Sequence, residues 1–160
     1  MKRSTLYNHK ILIMRSILSS IIILCLSTLT MAQSAKDADG VRAACMNYLE
    51  GFYEGDTTKL IASLQPSLNK LGFWKDKDSD VYESQGYMTF DEAKAYAKGV
   101  AEKKRFPSPD APKQVQVLDV MNNTASAKVT AWWGTDYILL SKHQDQWMIE
   151  QVLWEGPLEK

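Results

Sequence analysis

Cysteine and histidine are nearly absent: the 160 residues hold two of each, and Cys25 and His9 fall within the first 32. Beyond that point only Cys45 and His143 remain, so no internal disulfide can close. One thiol and one imidazole cannot assemble the usual cysteine–histidine zinc set either. Asp76, Asp78 and Asp80 alternate as calcium-loop ligands do, but the glycine and the distal glutamate of such a loop are missing, and the three read as a solvated turn. No serine stands in a nucleophile elbow. Neither a metal nor a cofactor is expected. Internal repeats and low-complexity linkers are missing too, which leaves one domain around one core.

An excess charge of either sign is lacking over the whole chain, with 19 basic against 19 acidic residues. The balance hides an asymmetry. Lys2, Arg3, Lys10 and Arg15 lie in the first 32 residues, which carry no acid; the remainder has 15 basic and 19 acidic residues, a net charge of −4. That argues against nucleic acid as a partner. The one basic cluster, Lys103-Lys104-Arg105, ends an expected helix, where the dipole favours cations.

Those first 32 residues read as a secretory signal. A basic start is followed by an apolar run from Ile17 to Leu29 and a small-residue exit at Thr30-Met31-Ala32, before Gln33. A spanning helix needs about 20 apolar residues, so a retained anchor is the weaker reading. The expectation is a cleaved leader over 1–32, a domain over 33–160, and a periplasmic or secreted product that meets the membrane only through its leader. Leu24 before Cys25 is too large for a lipidation site.

The clearest element of the domain is a first helix. Val41, Ala44, Cys45, Tyr48, Leu49 and Phe52 share one face, with Asp39 as a candidate N-cap and Gly55 as a stop. Cys45 on that apolar face reads as a buried, inert thiol. Asp56 can cap a second short helix that ends at Pro66. Two short strands are expected at 71–74 and 81–88, around the charged turn Lys75–Asp80. Thr89 and Glu92 form a capping box for a third helix with Phe90, Ala93, Tyr96, Ala97, Val100 and Ala101 on one face. Pro107, Pro109 and Pro112 then enforce an extended connection. The last third reads as a meander over 114–121, 124–133, 136–143 and 146–154, with Asn122-Asn123, Gly134-Thr135 and Gln144-Asp145 as turns. Helices followed by a run of antiparallel strands give an α+β domain.

Strict alternation sorts the meander into two faces. The inner face collects Leu118, Val120, Ala125, Ala127, Val129, Ala131, Trp133, Asp136, Ile138, Leu140, Trp147, Ile149, Gln151 and Leu153. On it Trp133 stands across from Asp136, with Gln151 diagonal on the next strand. A carboxylate, an amide and an indole in an apolar concavity describe a small-ligand pocket, with Tyr48 and Phe52 of the first helix above it. Structural satisfaction of the same polar groups is the alternative. The outer face places Trp132, Tyr137, Leu139, Met148, Val152 and Trp154 together, more apolar surface than a monomer has reason to expose, which predicts a homodimer through the sheet.

The order helices, hairpin, helix and meander resembles the nuclear-transport-factor-2-like superfamily, and within it the "putative lumazine-binding" branch, relatives of the SnoaL-like proteins. The residues that carry it are Tyr48-x-x-Gly51 and Gly55-Asp56, then Asp136-Tyr137-Ile138-Leu139-Leu140 and Asp145-x-Trp147-x-Ile149, spread over 38–155. The resemblance implies a cystatin-like, cone-shaped antiparallel sheet curved around three helices, often dimeric through the sheet. Enzymes of the superfamily, isomerases and dehydratases among them, line the cone with Asp, Tyr or His, whereas His143 here falls on the outer face. The function expected is therefore binding of a small apolar or aromatic ligand rather than catalysis. The alternatives are an isomerase, dehydratase or hydrolase using Asp136 as base, which needs an acid partner such as Tyr48 or Tyr96, and a protein-interaction module using the outer aromatics.

Overall fold

The computed structural model describes residues 34–158. The chain divides into two units, 1–36 and 37–160, and every described strand belongs to the second. The expected signal peptide lies outside the described residues.

Helix α1 occupies residues 34–54. It begins before Asp39, which is thus an internal residue and not its cap. The face read from the periodicity is the buried one: Val41, Cys45, Tyr48 and Leu49 are fully inaccessible, and Ala44 and Phe52 nearly so. Gly55, at φ 71°, turns the chain in a conformation that side chains resist. Asp56 then accepts from the amides of Thr58 and Lys59 and caps α2, Thr57–Ser63. Lys59 ties the corner by reaching back to Glu50 at 2.6 Å and Glu54 at 2.7 Å.

Ser63 passes directly into strand β1, Leu64–Lys75, which is longer and starts earlier than expected. Pro66 does not end the second helix. It lies inside the first part of the strand, where the pairing slips between Leu64 and Asn69, a place where a missing N–H costs no ladder bond. Strand β2, Tyr82–Met88, returns antiparallel. In the turn between them Asp76 accepts from the amides of Asp78 and Ser79 and from the Ser79 hydroxyl, so this carboxylate is spent on its own backbone. Helix α3, Phe90–Glu102, starts at the capping box of Thr89 and Glu92. Four strands follow: β3 Gln114–Val120, β4 Thr124–Ala131, β5 Gly134–His143 and β6 Gln146–Gly156.

The strands form one curved, unclosed sheet in the order β2-β1-β6-β5-β4-β3. Every neighbouring pair is antiparallel except β1 and β6, which run parallel and join the N-terminal hairpin to the meander. The expected all-antiparallel sheet is thus mixed at the junction of β1 and β6. One core cluster joins α1, α2 and α3 to the inner side of the sheet, with Ala125, Ala127, Val129 and Ala131 of β4 against Ile138 and Leu140 of β5.

Three details of the meander differ from the expected register, and the second and third move side chains to another face. The β4–β5 turn is Trp132-Trp133, with Ala131 paired to Gly134, and not Gly134-Thr135. Tyr53 of α1 explains the displacement: its hydroxyl accepts the Trp132 amide at 2.8 Å while donating to the Pro112 carbonyl at 2.5 Å. Secondly, β6 carries one extra residue between Ile149 and Gln151 opposite Leu139-Leu140. This bulge turns Gln151 and Leu153 outward and brings Val152 into the core. Thirdly, β3 carries an extra residue at Leu118, which is exposed, so that Val117 rather than Leu118 packs towards the core.

Candidate functional site

The inner end of α1 presents Tyr48 and Phe52, one helical turn apart, towards the open end of the sheet. Both lie among aromatic rings: Trp133 meets Tyr48, Phe52 and Tyr53 edge-on at 6.2, 5.7 and 5.8 Å. Trp133 can do so only because it sits in the tight turn after β4, whose first amide Tyr53 holds.

Beneath these rings a chain of polar groups is buried. Lys70 of β1 donates from Nζ to the Tyr48 hydroxyl at 2.7 Å, and that hydroxyl donates to Asp136 Oδ2 at 2.6 Å. Asp136 accepts on its other oxygen from the Trp133 indole N–H at 2.8 Å, and Lys70 Nζ stands 3.9 Å from Oδ2. Asp136 is fully inaccessible and Lys70 is 6% exposed. The Lys70 ammonium also faces four ring centroids at 5.1–5.9 Å, those of Trp154, Tyr48, Trp133 and Phe52. Burial lowers the Lys70 pKa from 10.5 to about 8, with Asp136 opposing the fall. Burial, and then the Asp136 charge, push the Tyr48 phenol well above its ordinary range, so it stays a protonated donor. Cys45 is inaccessible as expected, and burial followed by Asp136 pushes its thiol up to about 12.

Above Lys70 lies a cavity of about 170 Å³ lined by Phe52, Lys70, Trp74, Met88, Tyr96, Trp132, Trp133 and Trp154. Its only charged lining group is Lys70. Trp154 reaches it by lying flat over Gly72 of the neighbouring strand, where an added Cβ would fall 1.8 Å from the indole. Gly72 is thus a seat that no other residue can supply.

The residues expected at the site are brought together unevenly. Tyr48, Phe52, Trp133 and Asp136 come together. Gln151 does not: the β6 bulge places it on the outer face, exposed and paired with Leu139. Trp133 touches Asp136 from the turn and not from across the ladder, where Asp136 pairs with Val129 and Trp154. Of the expected interface residues, Tyr137 and Leu139 are more than half exposed on the outer face. Val152 is 2% exposed in the core, and Trp154 and Trp132 line the cavity. Met148 is partly covered, its sulfur accepting from Gln65 Nε2. Lys70 is the residue that sequence reasoning missed. Leu68, Lys70 and Gly72 alternate on one face, but the expected strand starts only at Leu71, and a lysine at such a position ordinarily faces water.

His143, as expected, is an outer, exposed residue. Its Nε2 lies 2.7 Å from the Ser141 hydroxyl and 3.0 Å from Glu150, and Ser141 also donates to Glu150. Serine and glutamate share one ring nitrogen here, so the glutamate does not orient the imidazole from Nδ1 as a hydrolytic triad requires. Among the described residues no group of three or more His, Cys, Asp or Glu is placed to hold a metal.

The family model described as "Putative lumazine-binding" matches residues 36–155. The chain belongs to that family. Solved structures agree on the fold, which is nuclear-transport-factor-2-like. A nuclear-transport-factor-2-like protein of unknown function from Silicibacter pomeroyi is 15% identical at TM-score 0.57, covering 72% of this chain and 92% of that one. One from Shewanella baltica is 18% identical at 0.55, covering 75% and 94%. A Nostoc punctiforme domain of unknown function with a cystatin-like fold is 13% identical at 0.51, covering 77% and 78%. No curated protein matches the sequence.

Proposed function

We propose that this family member is an exported binding domain that takes a small planar aromatic ligand into the cavity above Lys70, with a carbonyl or ring-nitrogen acceptor turned towards the amine. The observation that carries it is the lining itself: aromatic walls with one buried cation at the floor. Edge and face contacts select flat rings, and a single donor fixes their orientation. An apolar cavity of about 150 Å³ suffices for benzene, so the volume here suits one ring or a compact bicycle. A lumazine, flat and rich in ring carbonyls, has that chemistry, and the family description supports trying it first. Asp136 does not serve as an open catalytic base in this reading. Both its oxygens are engaged, and it does not line the cavity.

Four of the five tryptophans line the cavity, so occupancy has a direct optical readout. Titration with lumazine and with one-ring aromatics is expected to quench tryptophan emission saturably. Trp154→Ala should weaken the strongest binder about tenfold or more. Protein isolated from its natural source should retain bound mass in native mass spectrometry. Empty protein, with neither quenching nor a thermal shift across the panel, defeats the proposal.

We further propose that the outer sheet face pairs two copies of the chain. Tyr87, Leu71, Leu153 and Tyr137 stand in register across β2, β1, β6 and β5, and Leu139 and Leu118 extend the patch. Among the described residues the proline-rich connection leaves it open, since Tyr87, Tyr137, Leu139 and Leu153 are each half exposed or more. A contiguous apolar face of this width favours self-association. Sedimentation should show a dimer at micromolar concentration that Leu153→Glu converts to monomer with the same ligand titration; a monomeric wild type rules the pairing out.

A further inference from the structure

Lys70 has one described hydrogen bond, to Tyr48, and its amine fronts the cavity, although a donor aimed at a ligand needs neither burial under four rings nor a phenol linked to a buried carboxylate. We propose that Lys70 captures aromatic aldehydes or ketones covalently, as an imine, with Tyr48 and Asp136 relaying the proton. The proposal rests on the aromatic-ligand reading of the same cavity.

The hydrogen bonds run in one direction, Lys70 to Tyr48 to Asp136, at 2.7 and 2.6 Å. An ammonium cannot attack a carbonyl. Passing one proton to the Tyr48 oxygen while Tyr48 passes its own to Asp136 frees the nitrogen lone pair and leaves the carboxyl neutral. The amine adds to the carbonyl carbon, the C–O π electrons move to oxygen, and a second N–H proton completes the carbinolamine hydroxyl. The proton held at Asp136 returns through Tyr48 to that hydroxyl, the C–O bond breaks, and water leaves. What remains is a protonated imine in place of the ammonium, so the charge of the site is unchanged and nothing is oxidised or reduced. The iminium keeps the same surroundings, Asp136 as counter-ion and the aromatic faces around it.

The amine is suited to the step. At pH 7 an amine of pKa about 8 is neutral about one time in ten, against about one in three thousand at its ordinary 10.5. Depressing a lysine by desolvation is the general route to Schiff-base chemistry. The titratable neighbours that face Lys70 from the packed elements are the Asp136 carboxylate of β5, the neutral phenol of Tyr48 on α1 and, across the cavity, the phenol of Tyr96 on α3.

The test is reductive trapping. Purified protein is incubated with benzaldehyde and cyanoborohydride, and the benzyl-lysine formed is located by peptide mass mapping. Lys70 should be labelled about tenfold or more faster than any surface lysine, with a rate that climbs as pH rises towards about 8. Tyr48→Phe should slow labelling of Lys70 while benzyl alcohol still quenches tryptophan emission as in wild type, a combination that a loosened fold, which would lose the cavity, does not give. Benzyl alcohol, which has the ring but no carbonyl, should protect Lys70 by competition. Labelling spread over surface lysines with Lys70 no faster overturns the proposal. In that case quenching by benzyl alcohol keeps the ligand cavity, and its absence removes both.

Discussion

Replacing Asp136 with alanine is expected to lower the free energy of unfolding by about 3–5 kcal/mol, the largest effect of any single substitution at the site. The carboxylate is fully buried and serves three partners: the Tyr48 hydroxyl, the Trp133 indole and, at 3.9 Å, the Lys70 ammonium. Removing it strands two donors and one buried cation together. The cost is that of leaving these groups unmatched and not the worth of the ion pair itself, since a buried pair contributes little net stability against an apolar replacement. The double variant Asp136→Leu, Lys70→Met should therefore recover the part of the loss that the stranded cation causes, leaving the cost of the two unmatched donors. Asp136→Asn, which keeps one acceptor but no charge, should fall between wild type and alanine. Urea denaturation reads all four proteins. A loss below about 1 kcal/mol in Asp136→Ala, or a double variant no better than the alanine, would show that these groups do not act as a unit.

The legible part of this protein is the part governed by local rules. The buried face of α1 follows the 3.6-residue period from Val41 to Phe52, and the caps at Asp56 and Thr89 are single-residue chemistry with nearby partners. On β4 and β5 the alternation also holds, so Asp136 could be assigned inward from its neighbours Ile138 and Leu140. The family and its fold followed from the order of these elements.

What alternation cannot show is where it breaks. A bulge adds one residue and exchanges the two faces beyond it, and nothing in Met148-Ile149-Glu150-Gln151 marks the extra position. Every assignment after it on β6 was inverted: Gln151 moved out of the site, and Val152 and Trp154 moved into the interior. The β4–β5 turn failed for a different reason. Gly134 has the composition of a turn, but the decision was made 79 residues away by Tyr53, which supplies the acceptor for the Trp132 amide. Lys70 was hidden by its type. A lysine on a strand is ordinarily a solvated residue, and only the parallel pairing of β1 with β6, which no local signal encodes, places it beneath Trp154 and beside Tyr48.

The buried lysine has a second large consequence, a stability that rises with pH where most proteins begin to lose it. Burial lowers the Lys70 pKa from 10.5 to about 8 in the folded protein, while the unfolded chain keeps the ordinary value. Between these two pH values the unfolded state binds more protons than the native state, so the unfolding free energy increases with pH. This contribution amounts to about 1 kcal/mol between pH 7 and 9, and about 3 kcal/mol in full by pH 10.5. Two neighbours act the other way. Cys45 and Tyr48 have raised pKa values in the native state, so their stabilisation is complete at neutral pH and is lost once the unfolded chain deprotonates, from about pH 9 and 10 respectively. Wild-type stability should therefore climb from neutral pH to about 9 and then bend over. Lys70→Met removes the rising contribution alone. The difference in unfolding free energy between wild type and Lys70→Met should thus grow in favour of wild type by about 1 kcal/mol from pH 7 to 9, whatever its value at pH 7. A difference that stays flat over that interval would mean that Lys70 titrates as an ordinary surface lysine. The reading of a desolvated amine at the floor of the cavity would then fail with it.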